Sequence, residues 1–137
     1  MATQVVSSRL LRDNSLTTTK ALPSTSSNNT TDPIDLGSGP FNPEEIEVEI
    51  YIPAMTTHVT VANNLVISLY TSATTTLGAT SVLLMSWTQP GVASTGTAAA
   101  TYRFKLPPGT SRYIGFHQVC GATDDLSGTS ITYSILV

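Results

Sequence analysis

Apolar and polar residues alternate one for one along Glu44–Pro53. Ile46, Val48, Ile50 and Ile52 fall on one side, and Glu45, Glu47, Glu49 and Tyr51 on the other. A period of two belongs to a half-buried strand and not to a helix. The branched residues suit a pleated surface laid on a core, the carboxylates keep the outer face wet, and Pro53 closes the strand by removing the next ladder donor. The alternation returns in Leu65–Ser72, where Leu65, Ile67 and Leu69 turn inward, and in Ala98–Leu106, where Tyr102, Phe104 and Leu106 oppose Arg103 and Lys105. It returns again in Ser111–Cys120, with Ile114 and Phe116 on one face, and in Thr129–Val137, with Ile131, Tyr133, Ile135 and Val137 on one face.

Shorter strands are predicted at Leu16–Leu22, Pro33–Gly37 and His58–Val61. Ser81–Thr88, SVLLMSWT, does not alternate. It reads as a strand buried on both faces, or as one lying under another subunit. Gly, Pro, Ser, Thr and Asn gather between these runs, as in the polar loop Pro23–Asp32 and the hard stop Pro107-Pro108-Gly109. About eight short strands and no long helix describe an all-β protein: a single antiparallel sandwich, with a jelly roll favoured over an immunoglobulin-like arrangement. Strand order is not legible from spacing.

Residues 1–15, MATQVVSSRLLRDNS, stand apart as an N-terminal arm, leaving 16–137 as the sandwich domain. Val5, Val6, Leu10 and Leu11 would make one apolar face of a short helix, or dock in extended form. Arg9, Leu10, Leu11 and Arg12 are unusually apolar and charged for a chain rich in Ser and Thr. They are the expected contacts of an arm that orders on a neighbouring subunit.

Composition narrows the function classes. The 137 residues suffice for one core. With 40% hydrophobic and 11% charged residues and a net charge of −3, the chain is not of the disordered type. Arg9, Arg12 and Lys20 against Asp13 give residues 1–20 a net +2, whereas the remainder carries −5. An acidic body disfavours nucleic acid. No run approaches the roughly 20 apolar residues of a membrane-spanning helix. Met1–Leu16 has no continuous apolar segment of a signal peptide, so synthesis in a cytoplasm is expected. A lone Cys120 excludes an internal disulfide and a multi-cysteine zinc site. Asn28 and Asn29 match glycosylation acceptor patterns, which mean little without a secretory signal.

No reactive constellation emerges. His58 and His117 lack ligand spacing, and hydrogen-bonded structural roles are expected. Asp124-Asp125 sits in a turn without calcium-loop spacing. No G-x-S-x-G is present, and Cys120 reads as buried packing. No catalytic residue, cofactor or metal is expected. Glu45, Glu47 and Glu49 read as a solvated ladder or, more sharply, as a contact patch for a basic partner, including a neighbour's Arg9/Arg12 arm.

Several segments taken in order resemble a known family. They are Leu11-Arg12-Asp13-Asn14-Ser15-Leu16, Ile34-Asp35-Leu36-Gly37, the acidic strand Glu45–Ile52, Leu69-Tyr70-Thr71-Ser72, Tyr102-Arg103-Phe104 and Leu106-Pro107-Pro108-Gly109-Thr110-Ser111-Arg112-Tyr113. Together they look like the small jelly-roll class of capsid cement, or decoration, proteins of tailed bacteriophages. The resemblance implies a non-enzymatic shell protein on the virion surface. It would bind the outer face of the major capsid protein lattice, often as a dimer or trimer, and bridge neighbouring capsomers. The alternatives are a carbohydrate-binding jelly roll using Trp87, Tyr70 or Tyr102 as a platform, and a virion tail or fibre component.

Overall fold

The computed structural model describes residues 12–37, 42–58, 64–78, 81–121 and 124–136, with only the backbone for 12–15 and 64. The strands are β1 (Arg12–Ala21), β2 (Asn28–Thr30), β3 (Ile34–Asp35), β4 (Glu47–Ile52), β5 (Asn64–Ser72), β6 (Val82–Pro90), β7 (Ala100–Lys105), β8 (Tyr113–Cys120) and β9 (Ser130–Leu136). A four-stranded sheet runs β1-β9-β4-β7. A five-stranded sheet runs β2-β8-β5-β6, with β3 also on β8.

Every pairing is antiparallel, and the partners are nested. Arg12 faces Leu136, Asn28 faces Val119, Ile34 faces Ile114 and Glu47 faces Lys105. Met55 bridges Thr97, Asn64 faces Pro90 and Thr71 faces Val82. The chain is therefore one long hairpin whose tip is the connection between β5 and β6. It is rolled so that β9 also pairs with β4, and β8 with β5. With β2 and β3 counted as one interrupted strand, one sheet holds the first, last, third and sixth strands. The other holds the second, seventh, fourth and fifth. That is the jelly-roll order, two Greek keys folded face to face.

The core follows the predicted alternation. Val48, Ile50, Ile52, Leu65, Ile67, Leu69, Ile114, Phe116, Ile131, Tyr133 and Ile135 are all 3% exposed or less. Burial of each such side chain contributes about 1.5–3 kcal/mol before entropy is charged against it. Phe116 and Tyr133 stack between the sheets with ring centroids 4.0 Å apart. Beside them Gln118 is fully buried, and its amide is met on both ends. The Tyr133 hydroxyl donates to Gln118 Oε1 (2.8 Å), while Nε2 donates to Ala21 O (3.1 Å) and Asn29 Oδ1 (2.8 Å). Burial raises the Tyr133 phenol well above its ordinary pKa and keeps that proton in place.

Four expectations change. The acidic strand starts at Glu47, because Pro43–Glu45 form a 3-10 turn. Asn42 caps it by accepting from Glu44 N–H, and Ile46 N–H returns to Pro43 O at 3.0 Å. Glu45 is thus off the strand face. Asn28–Thr30, expected in a loop, is a short edge strand against β8. The apolar run 81–88 is not buried on both faces. It forms β6 at the end of its sheet, with Val82 60% and Leu83 52% exposed. Leu69 pairs with Met85 but Tyr70 with Leu83, so Leu84 is an extra residue, and this bulge breaks the alternation. Finally, the backbone of Arg12–Ser15, assigned to the arm, lies in β1. Residues 1–11, including Arg9, Leu10 and Leu11, lie outside the described residues, as do 59–61 of the short strand expected at His58–Val61.

Candidate functional site

The outward face of β4 is where the acidic residues were expected to act. Val48, Ile50 and Ile52 point into the core, so Glu47, Glu49 and Tyr51 point away from it. The register sets Glu47 opposite Lys105 and Glu49 opposite Arg103 on β7. Arg103 closes on Glu49 Oε2 with Nε at 2.9 Å and Nη2 at 2.7 Å. Glu49 is only 6% exposed although it lies on an outer sheet face. It sits in a recess of about 510 Å³ with Thr17, Tyr51, Arg103, Thr132 and Ser134. Arg103 keeps a side chain 57% exposed. The face is thus a charge-paired, hydroxyl-lined surface with Glu49 held inside it, rather than a solvated ladder of three acids. Glu45 is exposed on the preceding turn, and of the expected arm contacts Arg12 is placed by its backbone alone.

The other titratable groups also serve as joints. The His58 ring is fully buried, with Nδ1 3.0 Å from Asp124 Oδ2 and Nε2 2.8 Å from the carbonyl of Gln89. A carbonyl only accepts, so Nε2 carries a proton and donates. A second proton lies between Nδ1 and the carboxylate, since two bare acceptors would repel. Asp124, at 5% exposure, is therefore engaged in a buried joint and does not form a calcium turn with Asp125. Hydrogen bonds from the Ser127 side chain and then from Ser127 N–H lower the Asp125 carboxyl pKa. No local signal announces the His58–Asp124 pair, which is separated by 66 residues. His117 Nδ1 shares a hydrogen bond with Thr30 Oγ1 at 2.8 Å and meets Tyr70 edge-on. These groups border a second recess of about 320 Å³ on the outer face of the five-stranded sheet. Cys120 is buried, and desolvation pushes its thiol up to about 11, which leaves little thiolate at neutral pH. Among the described residues no group of three or more His, Cys, Asp and Glu side chains could hold a metal ion.

Three of the motifs behind the family resemblance meet in space. Asp35 accepts from Arg112 Nε (2.7 Å) and Nη2 (2.8 Å), and Leu36 N–H bonds Arg112 O at 2.8 Å. Thr71 Oγ1 donates to Tyr113 O (2.9 Å) and accepts from Ser111 N–H (2.8 Å). Asp35, held by Arg112 and by Gly37 N–H, has its carboxyl lowered to about 2. Ile34–Gly37, Leu69–Ser72 and Leu106–Tyr113 thus form one corner of the roll, while Tyr102–Phe104 pairs with β4. These residues are tied to one another and build the scaffold.

No helix among the described residues is long and apolar enough to cross a membrane. No protein-family profile matches the sequence, and no curated protein matches it. By structure the chain is similar to the PBSX exported protein XepA, with a TM-score of 0.52 and 13% identity over 98% of this chain and 39% of that one. The chain thus spans less than half the length of that neighbour, and the likeness is one of fold.

Proposed function

We propose that the chain is a capsid cement, or decoration, protein. On this reading it is a non-enzymatic jelly roll, made in the host cytoplasm, that binds the outer surface of a phage head and bridges neighbouring major capsid proteins. One observation carries the reading: the polar groups with resolved partners are taken up with one another. Glu49, Arg103, Asp35, Arg112, His58, Asp124 and Gln118 are engaged in joining strands and loops. Meanwhile residues 50–102, which include the exposed β6 edge, contain no Asp, Glu, Lys or Arg. Such a body suits adhesion through many weak contacts repeated by symmetry. An uncharged edge strand also offers its ladder to another chain. The ordered sequence motifs favour this reading, and a phage-related fold neighbour is in keeping with it. The residues Arg9, Leu10, Leu11 and Arg12 would anchor the arm on capsid protein or on a sister subunit, in a dimer or trimer.

The carbohydrate-binding alternative has less to rest on. Trp87 lies 4.9 Å from Phe104, tilted against it, and Tyr70 and Tyr102 belong to different sheets.

The test is co-sedimentation of the purified chain with phage heads that lack it. Saturable binding at a copy number set by the shell lattice is expected, with added resistance of the heads to heat. Deleting residues 2–11, which leaves β1 intact, should weaken binding strongly. No binding to expanded or unexpanded heads would end the proposal.

A further inference from the structure

The outer face of the four-stranded sheet is ordered in two rows. The register carries Thr17, Ser134, Glu49 and Arg103 across β1, β9, β4 and β7 in one line. It carries Thr19, Thr132, Tyr51 and Thr101 across the same strands in the next. Neighbours in a row stand about 4.8 Å apart, so each row is about 14 Å wide. All eight side chains form hydrogen bonds by nature, five of them through aliphatic hydroxyls. The recess of about 510 Å³ takes in all of them but Thr19.

The floor and the rim of this recess offer different things. Ser134, 1% exposed, and Glu49 make the floor. Tyr51, 42% exposed, and the exposed Thr101 and Arg103 stand at the rim, where a ligand can touch them. Thr19 and Thr132 share a hydrogen bond at 3.2 Å on the exposed continuation of the same face. Arg103 turns Nε and Nη2 down to Glu49 Oε2, and its Nη1 meets no acceptor among the described residues. The guanidinium therefore presents donors outward while Glu49 cancels its charge.

That chemistry selects among ligands. An anion gains little from a guanidinium already paired with a carboxylate 2.7 Å away, and the acidic body repels it further. An apolar partner finds one aromatic ring and no Leu, Ile, Val or Met in either row. A neutral molecule dense in hydroxyls meets a donor or an acceptor at every rim position, and an aromatic ring accepts its C–H face. The recess also has the volume of an ordinary small-molecule site.

We propose that this face binds a neutral oligosaccharide, with one pyranose ring packed on Tyr51 and its hydroxyls met by Thr101, Thr132 and the outward N–H groups of Arg103. None of Trp87, Tyr70 and Tyr102 belongs to it. The first two lie on the other sheet, and Tyr102 shares the inward side with Ile50. The inference goes beyond shell binding and is tested on the isolated protein, so failure of either leaves the other standing.

The chain is titrated with cellohexaose, maltohexaose, mannohexaose and, as the acidic counterpart, hexagalacturonate, and followed by NMR chemical shifts. The expected result is saturable shifts with at least one neutral hexamer, centred on the outward residues of β1, β4, β7 and β9, with weaker binding of hexagalacturonate. Tyr51→Ala should weaken the neutral ligand about tenfold, as loss of the ring contact predicts, and Tyr51→Phe should stay within about twofold of the wild type. Glu49→Gln uncovers the Arg103 charge and should reverse the ranking in favour of hexagalacturonate. No saturable shift with any neutral hexamer, hexagalacturonate binding as tightly as the best of them, shifts centred on another face, wild-type affinity in Tyr51→Ala, or an unchanged ranking in a folded Glu49→Gln chain overturns the proposal. If Glu49→Gln fails to fold by circular dichroism, the wild-type ranking and the two Tyr51 variants still decide.

Discussion

On the β4–β7 side, Glu49 is held under Arg103 and Glu47 stands opposite Lys105; along β5 and β6, from residue 50 to residue 102, no charged residue occurs. All six basic and all nine acidic residues lie outside that stretch. The first region closes its outer face with cross-strand pairs, because a carboxylate 6% exposed must be paired to be tolerated. Among the described residues the second has one such joint, His58 with Asp124. It is otherwise held by apolar packing and by backbone closures such as Met55 with Thr97. Its edge strand lacks the lysines and prolines that ordinarily blunt an edge, except for Pro90 at the strand's end. The Glu49–Arg103 and Asp35–Arg112 pairs mark where strands and loops are joined to one another, and the stretch 50–102 has no Asp, Glu, Lys or Arg.

The contrast predicts that the uncharged region is the more sensitive to backbone fit. Gly96 has φ +70° and is packed against the backbone of Met55 and Thr56, so an added methyl has nowhere to go. Gly96→Ala should cost about 2–3 kcal/mol in urea unfolding. Gly115→Ala is the control. Its methyl meets the flexible end of Leu77, and a cost below about 1 kcal/mol is expected.

The charge-paired region should instead respond to loss of a charge with shape kept. Glu49→Gln should lower stability by about 1–2 kcal/mol. A change indistinguishable from zero would mean that the burial of Glu49 is incidental.

The Asp35–Arg112 corner gives a pH signature. The folded carboxyl, held mainly by the Arg112 hydrogen bond, sits at about 2, below its ordinary value. A depressed folded pKa gives stability that is present above about pH 4 and lost as pH falls through about 2. Denaturant unfolding over that window should show a shallower acid loss in Asp35→Asn than in the wild-type chain. Equal slopes would place the acid sensitivity elsewhere.

The smallest effect on stability is expected at the edge itself. Val82, 60% exposed, changed to Lys should alter stability by no more than about 0.5 kcal/mol. It should nevertheless reduce association with itself or with heads, read by light scattering and co-sedimentation. Unchanged association would remove β6 from the contact surface.

The fold was largely legible because strict alternation identifies inward residues whatever the strand order. Val48, Leu65, Phe116 and Ile131 are all where their period placed them. The run Val82–Trp87 was not, because a bulge cancels alternation and an apolar run looks the same at an exposed edge as in a core. Asn28–Thr30 carries no apolar signal at all and is a strand only because β8 offers it a ladder. The outward faces of Glu49 and Arg103 were each readable. Their pairing was not, since register depends on how the hairpin rolls. His58, Gln89 and Asp124 come together for the same reason, from three stretches with no shared motif. The turn at Pro43–Glu45 leaves no mark in the pattern, because the alternation of Ile46 with Glu45 continues through it.

The position of β9 bears on how the protein is made. The last described strand lies between β1 and β4, in the interior of its sheet. Until β9 is available, β1 and β4 lack the strand that lies between them. Sheet closure therefore waits until Leu136 has cleared the exit tunnel, and a stalled or prematurely terminated copy would present two open ladders to the cellular quality-control machinery.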